Sequence, residues 1–142
     1  DTAVNVTSDV CSVTGATAPT FTVASTLDLT LQPEDVPGLA RYISPARFFP
    51  KGTTSTDLVL YGPVGGAFDS VRIDGEEVQG RVVEHLGRPA VKVNVENFPA
   101  STHTVEATFT GKAGTSYGPI EVWHTPMVRE TPVTVEAPGC AD

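Results

Sequence analysis

Cysteine is scarce in this chain, with two residues, and methionine and tryptophan occur once each. The cysteines, Cys11 and Cys140, stand near opposite ends of the 142 residues, so no CxxC metal or redox motif can form. No run of about 18 apolar residues occurs, so no membrane-spanning helix is expected. Lys and Arg number nine against 17 Asp and Glu, a formal net charge of −8. That balance argues against nucleic acid and anionic membrane surfaces, which both require clustered cations. It suits a solvated surface. Walker and dinucleotide glycine motifs are missing, as are a G-x-S-x-G elbow and an EF-hand loop. No stretch sustains a 3.6-residue apolar period. The chain opens DTAVNVTSDV, with neither an initiating Met nor a signal peptide, so it is expected to be a piece of a longer protein.

What is present suits one folded domain. Charged residues are 18% and hydrophobic residues 39% of the chain, outside the range of disordered sequences. A chain of this length buries roughly 70% of its unfolded surface, enough for a core. Period-two alternation dominates. In FTVASTLDLTL, Phe21, Val23, Leu27, Leu29 and Leu31 share one parity, and Thr22, Ala24, Thr26, Asp28 and Thr30 the other. This predicts a strand with one buried and one wet face. VKVNVE, VEATFT and VTVE alternate in the same way. TDLVLYG (56–62) is apolar on both parities, which predicts a central strand covered on two sides. AVNV near the start, SVRI, RVVEH and IEVW near the end complete about eight or nine strands. Asp74-Gly75 and Leu86-Gly87 read as hairpin turns and Gly65-Gly66 as a turn. The expected fold is an all-β antiparallel sandwich of immunoglobulin or fibronectin type, over residues 1–142.

Residues 33–53, PEDVPGLARYISPARFFPKGT, break the rhythm with four prolines and no alternation. GLARYI suits one short helical turn. Connections of this length are often functional. Arg47 and Lys51 flank Phe48 and Phe49 here, with Arg41 just before. Two readings stand. Either the phenylalanines cap the open end of the sandwich, or the segment forms an apolar and basic contact patch on an otherwise acidic domain.

Catalytic chemistry finds little support. His124, Met127 and Cys140 come in the wrong order for a blue-copper loop. His85, His103 and His124 lack paired spacing and fall on separate predicted strands, so zinc is not expected. Glu76-Glu77 and Glu34-Asp35 read as solvated pairs rather than acid–base couples. Asp74, Glu76 and Glu77 form an acidic group that calcium could use, but without the EF-hand pattern. No catalytic residue, metal or cofactor is therefore assigned. Trp123 shares parity with Glu121 and so points outward, where with Tyr117 it could stack on a sugar ring. Its other reading is burial near Pro126, as a core or half-core tryptophan.

The cysteines read as one disulfide tying the first strand to the last, or as two buried free thiols. A loop this long would gain roughly 5 kcal/mol from the bond, less any strain. Such a bond persists only in an oxidising compartment.

Three stretches, DLVLYGPVGGAFDSVRIDG, GRPAVKVNVENFPASTHTVEATFTG and VWHTPMVRETPVTVEAPGC, together carry a family pattern. It runs from a strand through a PxGG turn and a V-x-V/I-D-G hairpin to GRPxV. It continues to a strand ending near TP-[LM]-V and a final PxC. Over residues 55–140 the chain resembles the C-terminal part of the family labelled domain of unknown function 4012, mostly actinobacterial envelope proteins with an N-terminal membrane anchor. The resemblance implies an exported, tethered parent, with this domain outside the cytoplasmic membrane. It carries over no activity, cofactor or catalytic residue. The expected role is a non-catalytic module that packs against an upstream domain of its parent or another envelope protein through Arg47, Phe48, Phe49 and Lys51. The alternative is a module binding cell-wall glycan through Trp123 and Tyr117.

Overall fold

The computed structural model describes residues 1–9, 18–117 and 119–137. The described chain is all-β apart from one 3-10 helix, and its strands form two sheets. They are β1 (Thr2–Ser8), β2 (Thr20–Leu29), β3 (Thr54–Tyr61), β4 (Ala67–Ile73), β5 (Glu76–Glu77), β6 (Arg81–His85), β7 (Arg88–Asn97), β8 (Ser101–Thr110) and β9 (Val133–Glu136). The larger sheet has the order β5-β4-β8-β2-β1-β9, and the smaller has the order β3-β7-β6. Every pairing is antiparallel except that of β1 with β9, which is parallel. The sequence pattern, which predicted antiparallel pairing throughout, carried no sign of that last pairing. It arises because the chain leaves β8 at one end of the sheet and returns to β9 at the other.

Strand β7 lies at the centre of the small sheet and packs across β4, β8 and β2. Val91, Val93 and Val95 alternate inward from it. They meet Leu60 from β3, Val71 from β4, and Val105, Ala107 and Phe109 from β8. The two apolar faces thus close on each other, as alternating strands in packed sheets require. On the opposite face of the large sheet, alternate positions carry threonine, and the hydroxyls of Thr26 and Thr104 lie 3.3 Å apart across neighbouring strands.

Both predicted hairpins have two-residue turns with positive φ at each position. Asp74 and Gly75 are at 53° and 85°, and Leu86 and Gly87 are at 52° and 70°. This is the mirror-image turn whose twist matches paired strands. Gly65 is also left-handed, at 68°, within the predicted Gly65-Gly66 turn.

Two strand expectations need correction. Residues 56–62 do not form a central strand, because β3 is an edge of the small sheet. Val59 and Tyr61 occupy its outer face and are exposed, while Leu58 and Leu60 turn inward. IEVW (120–123) forms no strand. It lies in an irregular strap between β8 and β9, bracketed by Pro119 and Pro126, which lack the N–H that a strand ladder needs. The predicted disulfide between Cys11 and Cys140 lies outside the described residues.

Candidate functional site

The long connection between β2 and β3 is an ordered loop. Pro33–Gly38 forms the 3-10 helix, with proline near its start and Glu34 and Asp35 in its first turn. A single helical turn follows, closed by the N–H groups of Ile43 and Ser44 donating to Ala40 O at 2.9 and 3.2 Å. This matches the turn expected for GLARYI. The backbone N–H of Gly52 then donates to Ser44 Oγ at 2.8 Å, closing the neck of the loop between them. Lys51 Nζ donates to Pro37 O at 2.9 Å, tying the returning chain to the helix. Gly52 sits at φ 87°, and a Cβ there would meet Val36 at 2.9 Å and Pro99 at 3.1 Å, so a bare backbone is required. The neck is therefore packed as well as bonded.

Beyond that neck the apolar side chains stand in solvent. Tyr42 is 87% exposed, Phe48 80%, Ile43 60% and Phe49 38%. The Arg47 guanidinium carbon lies 5.1 Å from the centroid of the Phe48 ring, within cation–π reach. Ala46 is held left-handed at φ 51°, an unfavourable conformation for a residue with a Cβ. Phe48 does not cap the sandwich, and Phe49 is only partly covered. Of the two readings of this segment, exposure supports the contact patch. From Val36 to Thr53 the chain carries Arg41, Arg47 and Lys51 and no acidic residue.

The candidate glycan residues are not equivalent. Trp123 is 90% exposed, and its indole N–H donates to Glu121 Oε2 at 3.4 Å. Tyr117 is half-buried. Its ring meets Phe21 edge-on at 5.1 Å. Its hydroxyl accepts the backbone N–H of Lys112 at 2.7 Å and donates to Val64 O at 3.2 Å. Tyr117 thus clamps the start of the strap to the β3–β4 connection. Sequence reasoning gave no hint of that clamp, because its partners are backbone groups far apart in the chain.

The three histidines take separate partners. His85 Nδ1 lies 3.1 Å from Tyr61 Oη, and His124 Nδ1 lies 3.0 Å from Thr125 O. His103 Nδ1 lies 2.6 Å from Asp74 Oδ2. Asp74 Oδ1 accepts the backbone N–H of Thr104 at 2.8 Å. The hydrogen bond from His103, then that from Thr104, hold the Asp74 carboxyl below its usual range. Both Asp74 carboxylate oxygens are thereby engaged within the fold. No hydroxyl completes a triad, because His103 Nε2 has no hydrogen-bond partner among the described residues. On the outer face of the small sheet, Lys92 Nζ lies 2.6 Å from Asp57 Oδ2, and Asn94 donates to Oδ1 at 3.1 Å. Lys92 first, then Asn94, lower the Asp57 pKa. Among the described residues, no three His, Cys, Asp or Glu side chains gather as metal ligands would.

Asn97 was missed by the sequence reading and holds the β7–β8 turn. Its buried amide donates to Leu27 O at 3.2 Å and approaches Ser101 Oγ at 3.4 Å. Compared with family models, with curated proteins and with solved structures, the chain has no match in any of the three.

Proposed function

We propose that this chain is a non-catalytic β-sandwich module of immunoglobulin or fibronectin type, part of an exported cell-envelope protein, and that it works by contact through residues 41–49. The observation that carries this reading is the exposed Tyr42, Ile43 and Phe48 on a loop closed by the Ser44–Gly52 bond. A fold gains nothing by holding large apolar side chains in water, and such patches mark interaction sites. The separate partners of His85, His103 and His124 support the non-catalytic part. The resemblance over residues 55–140 supports the envelope setting.

The disulfide belongs to the same proposal. β1 and β9 run parallel and side by side, with Thr7 opposite Glu136. Along the sequence, Cys11 comes four residues after Thr7 and Cys140 four after Glu136. That matching offset supports the pairing of the first strand's cysteine with the last's, and with it an oxidising compartment. Alkylation of never-reduced protein unfolded in denaturant should label neither cysteine; labelling of both would remove this support.

The contact role is tested by co-sedimentation with the envelope fraction of the source cells. The wild-type chain should pellet, and a folded Phe48→Ser/Phe49→Ser variant should stay in the supernatant. Equal pelleting of the two would refute the role assigned to the loop.

A second reading is favoured by the exposure of Trp123. In it, Trp123 stacks on a cell-wall or other polysaccharide, without Tyr117, whose ring and hydroxyl are taken. Titration of tryptophan fluorescence with a glycan panel decides it, since an unresponsive spectrum across the panel would end that reading.

A further inference from the structure

Resting on the contact role proposed above, we infer that the partner of the 41–49 loop is an anionic lipid headgroup layer. Tyr42, Ile43, Phe48 and Phe49 would enter its interface, while Arg41 and Arg47 meet its charge. The net charge of the chain hides this surface. Nine cations face 17 acids overall, but Val36 to Thr53 holds three of those cations and no acid. Counted from Pro33, with Glu34 and Asp35 of the 3-10 helix included, the connection holds three cations and two acids, against six cations and 15 acids elsewhere. An anionic layer therefore attracts this loop and repels the rest, which orients the molecule tip first. Screening over about 8 Å at physiological salt confines both effects to the groups nearest the layer.

The side-chain types fit the same partner. Tyr42, with its polar edge, and arginines whose stems cover apolar surface are residues that settle at a membrane–water interface, with Ile43, Phe48 and Phe49 as the apolar side chains beside them. Their exposures of 60–87% at Ile43, Phe48 and Tyr42 place them outside any groove of this chain. A headgroup layer receives such side chains without a preformed pocket, whereas a protein partner must supply one for each. Order in the loop adds to the case. The Ser44–Gly52 and Lys51–Pro37 bonds fix the neck, and Pro45 and Pro50 stiffen the loop within it. Little freedom is then lost on insertion. Ala46, held at φ 51°, is the kind of local strain that persists where a loop is shaped for a task.

The test is sedimentation of the full chain with vesicles of phosphatidylglycerol and phosphatidylcholine in equal parts, beside vesicles of phosphatidylcholine alone. The chain should pellet with the mixed vesicles and not the neutral ones, and about 1 M salt should release it by shortening the screening length to about 3 Å. Phe48→Ser/Phe49→Ser should weaken binding by about tenfold or more. Arg41→Gln/Arg47→Gln should weaken it by about fivefold per arginine. All four side chains are exposed, so both variants should fold, and unchanged circular dichroism melts confirm that they have. Failure of the wild type to pellet with mixed vesicles, or equal pelleting with both kinds, overturns the lipid assignment. If it still pellets with the envelope fraction, the contact role survives and the partner is an acidic protein or a glycan.

Discussion

Asp74 and His103 join the β4–β5 turn to β8, with Oδ2 and Nδ1 2.6 Å apart. Because this contact and the Thr104 N–H depress the folded pKa of Asp74, ionised Asp74 favours folding above its ordinary value of 3.8. That contribution is lost as pH falls through the depressed folded value. Asp74→Asn tests it cleanly, because asparagine also tolerates φ 53° before Gly75. At pH 7 the variant should be less stable by about 0.5–1 kcal/mol, a figure already reduced for solvent screening. Urea melts should show the deficit closing as pH falls below 3.8. A deficit constant down to the lowest pH contradicts the assignment.

Gly62 and Phe109 fix how closely the β3–β4 connection approaches the core. A Cβ at Gly62 would lie 2.5 Å from the Phe109 ring and 2.9 Å from Pro89, and the ring is fully buried. Gly62→Ala should destabilise the fold by about 1–3 kcal/mol. Phe109→Leu should recover part of that loss, giving a coupling of at least about 0.5 kcal/mol in a double-mutant cycle. Strict additivity in denaturant melts would place Gly62 away from the ring.

Leu86 presents the opposite case. It is 84% exposed and left-handed at φ 52°, so its side chain gains little from packing while its backbone carries strain. Leu86→Asn creates the preferred Asn-Gly turn and should raise stability by about 1 kcal/mol. A lower melting temperature would contradict the turn geometry.

Trp123 is the chain's single tryptophan and is 90% exposed. Its emission should be red-shifted and fully open to iodide quenching in the native protein. Blue-shifted, protected emission would mean that the Trp123 ring packs against the domain.

The sheets were largely legible in the sequence, because alternation in 21–29, 91–95 and 105–109 follows directly from one buried and one wet face. Asp74-Gly75 and Leu86-Gly87 were legible through turn chemistry. Residues 56–62 misled because Val59 and Tyr61 are apolar yet lie on an uncovered face, and periodicity registers side-chain type rather than what lies opposite. IEVW misled because its strand propensity is set against Pro119 and Pro126, which supply no N–H to a ladder. At the candidate site, sequence located the segment, the helical turn and the cations. It left the exposure of Phe48 open, since a phenylalanine in a loop suits burial as well as display. The Tyr117 clamp was illegible because it depends on backbone atoms of Lys112 and Val64 brought together only by the fold.

The most direct test of the account measures, on one preparation of Phe48→Ser/Phe49→Ser, both unfolding free energy and envelope co-sedimentation. The account predicts a stability loss of no more than about 1–2 kcal/mol, from the partly covered Phe49, together with loss of co-sedimentation. Stability lower by several kcal/mol, or undiminished co-sedimentation, would mean that these rings serve the fold and not a partner.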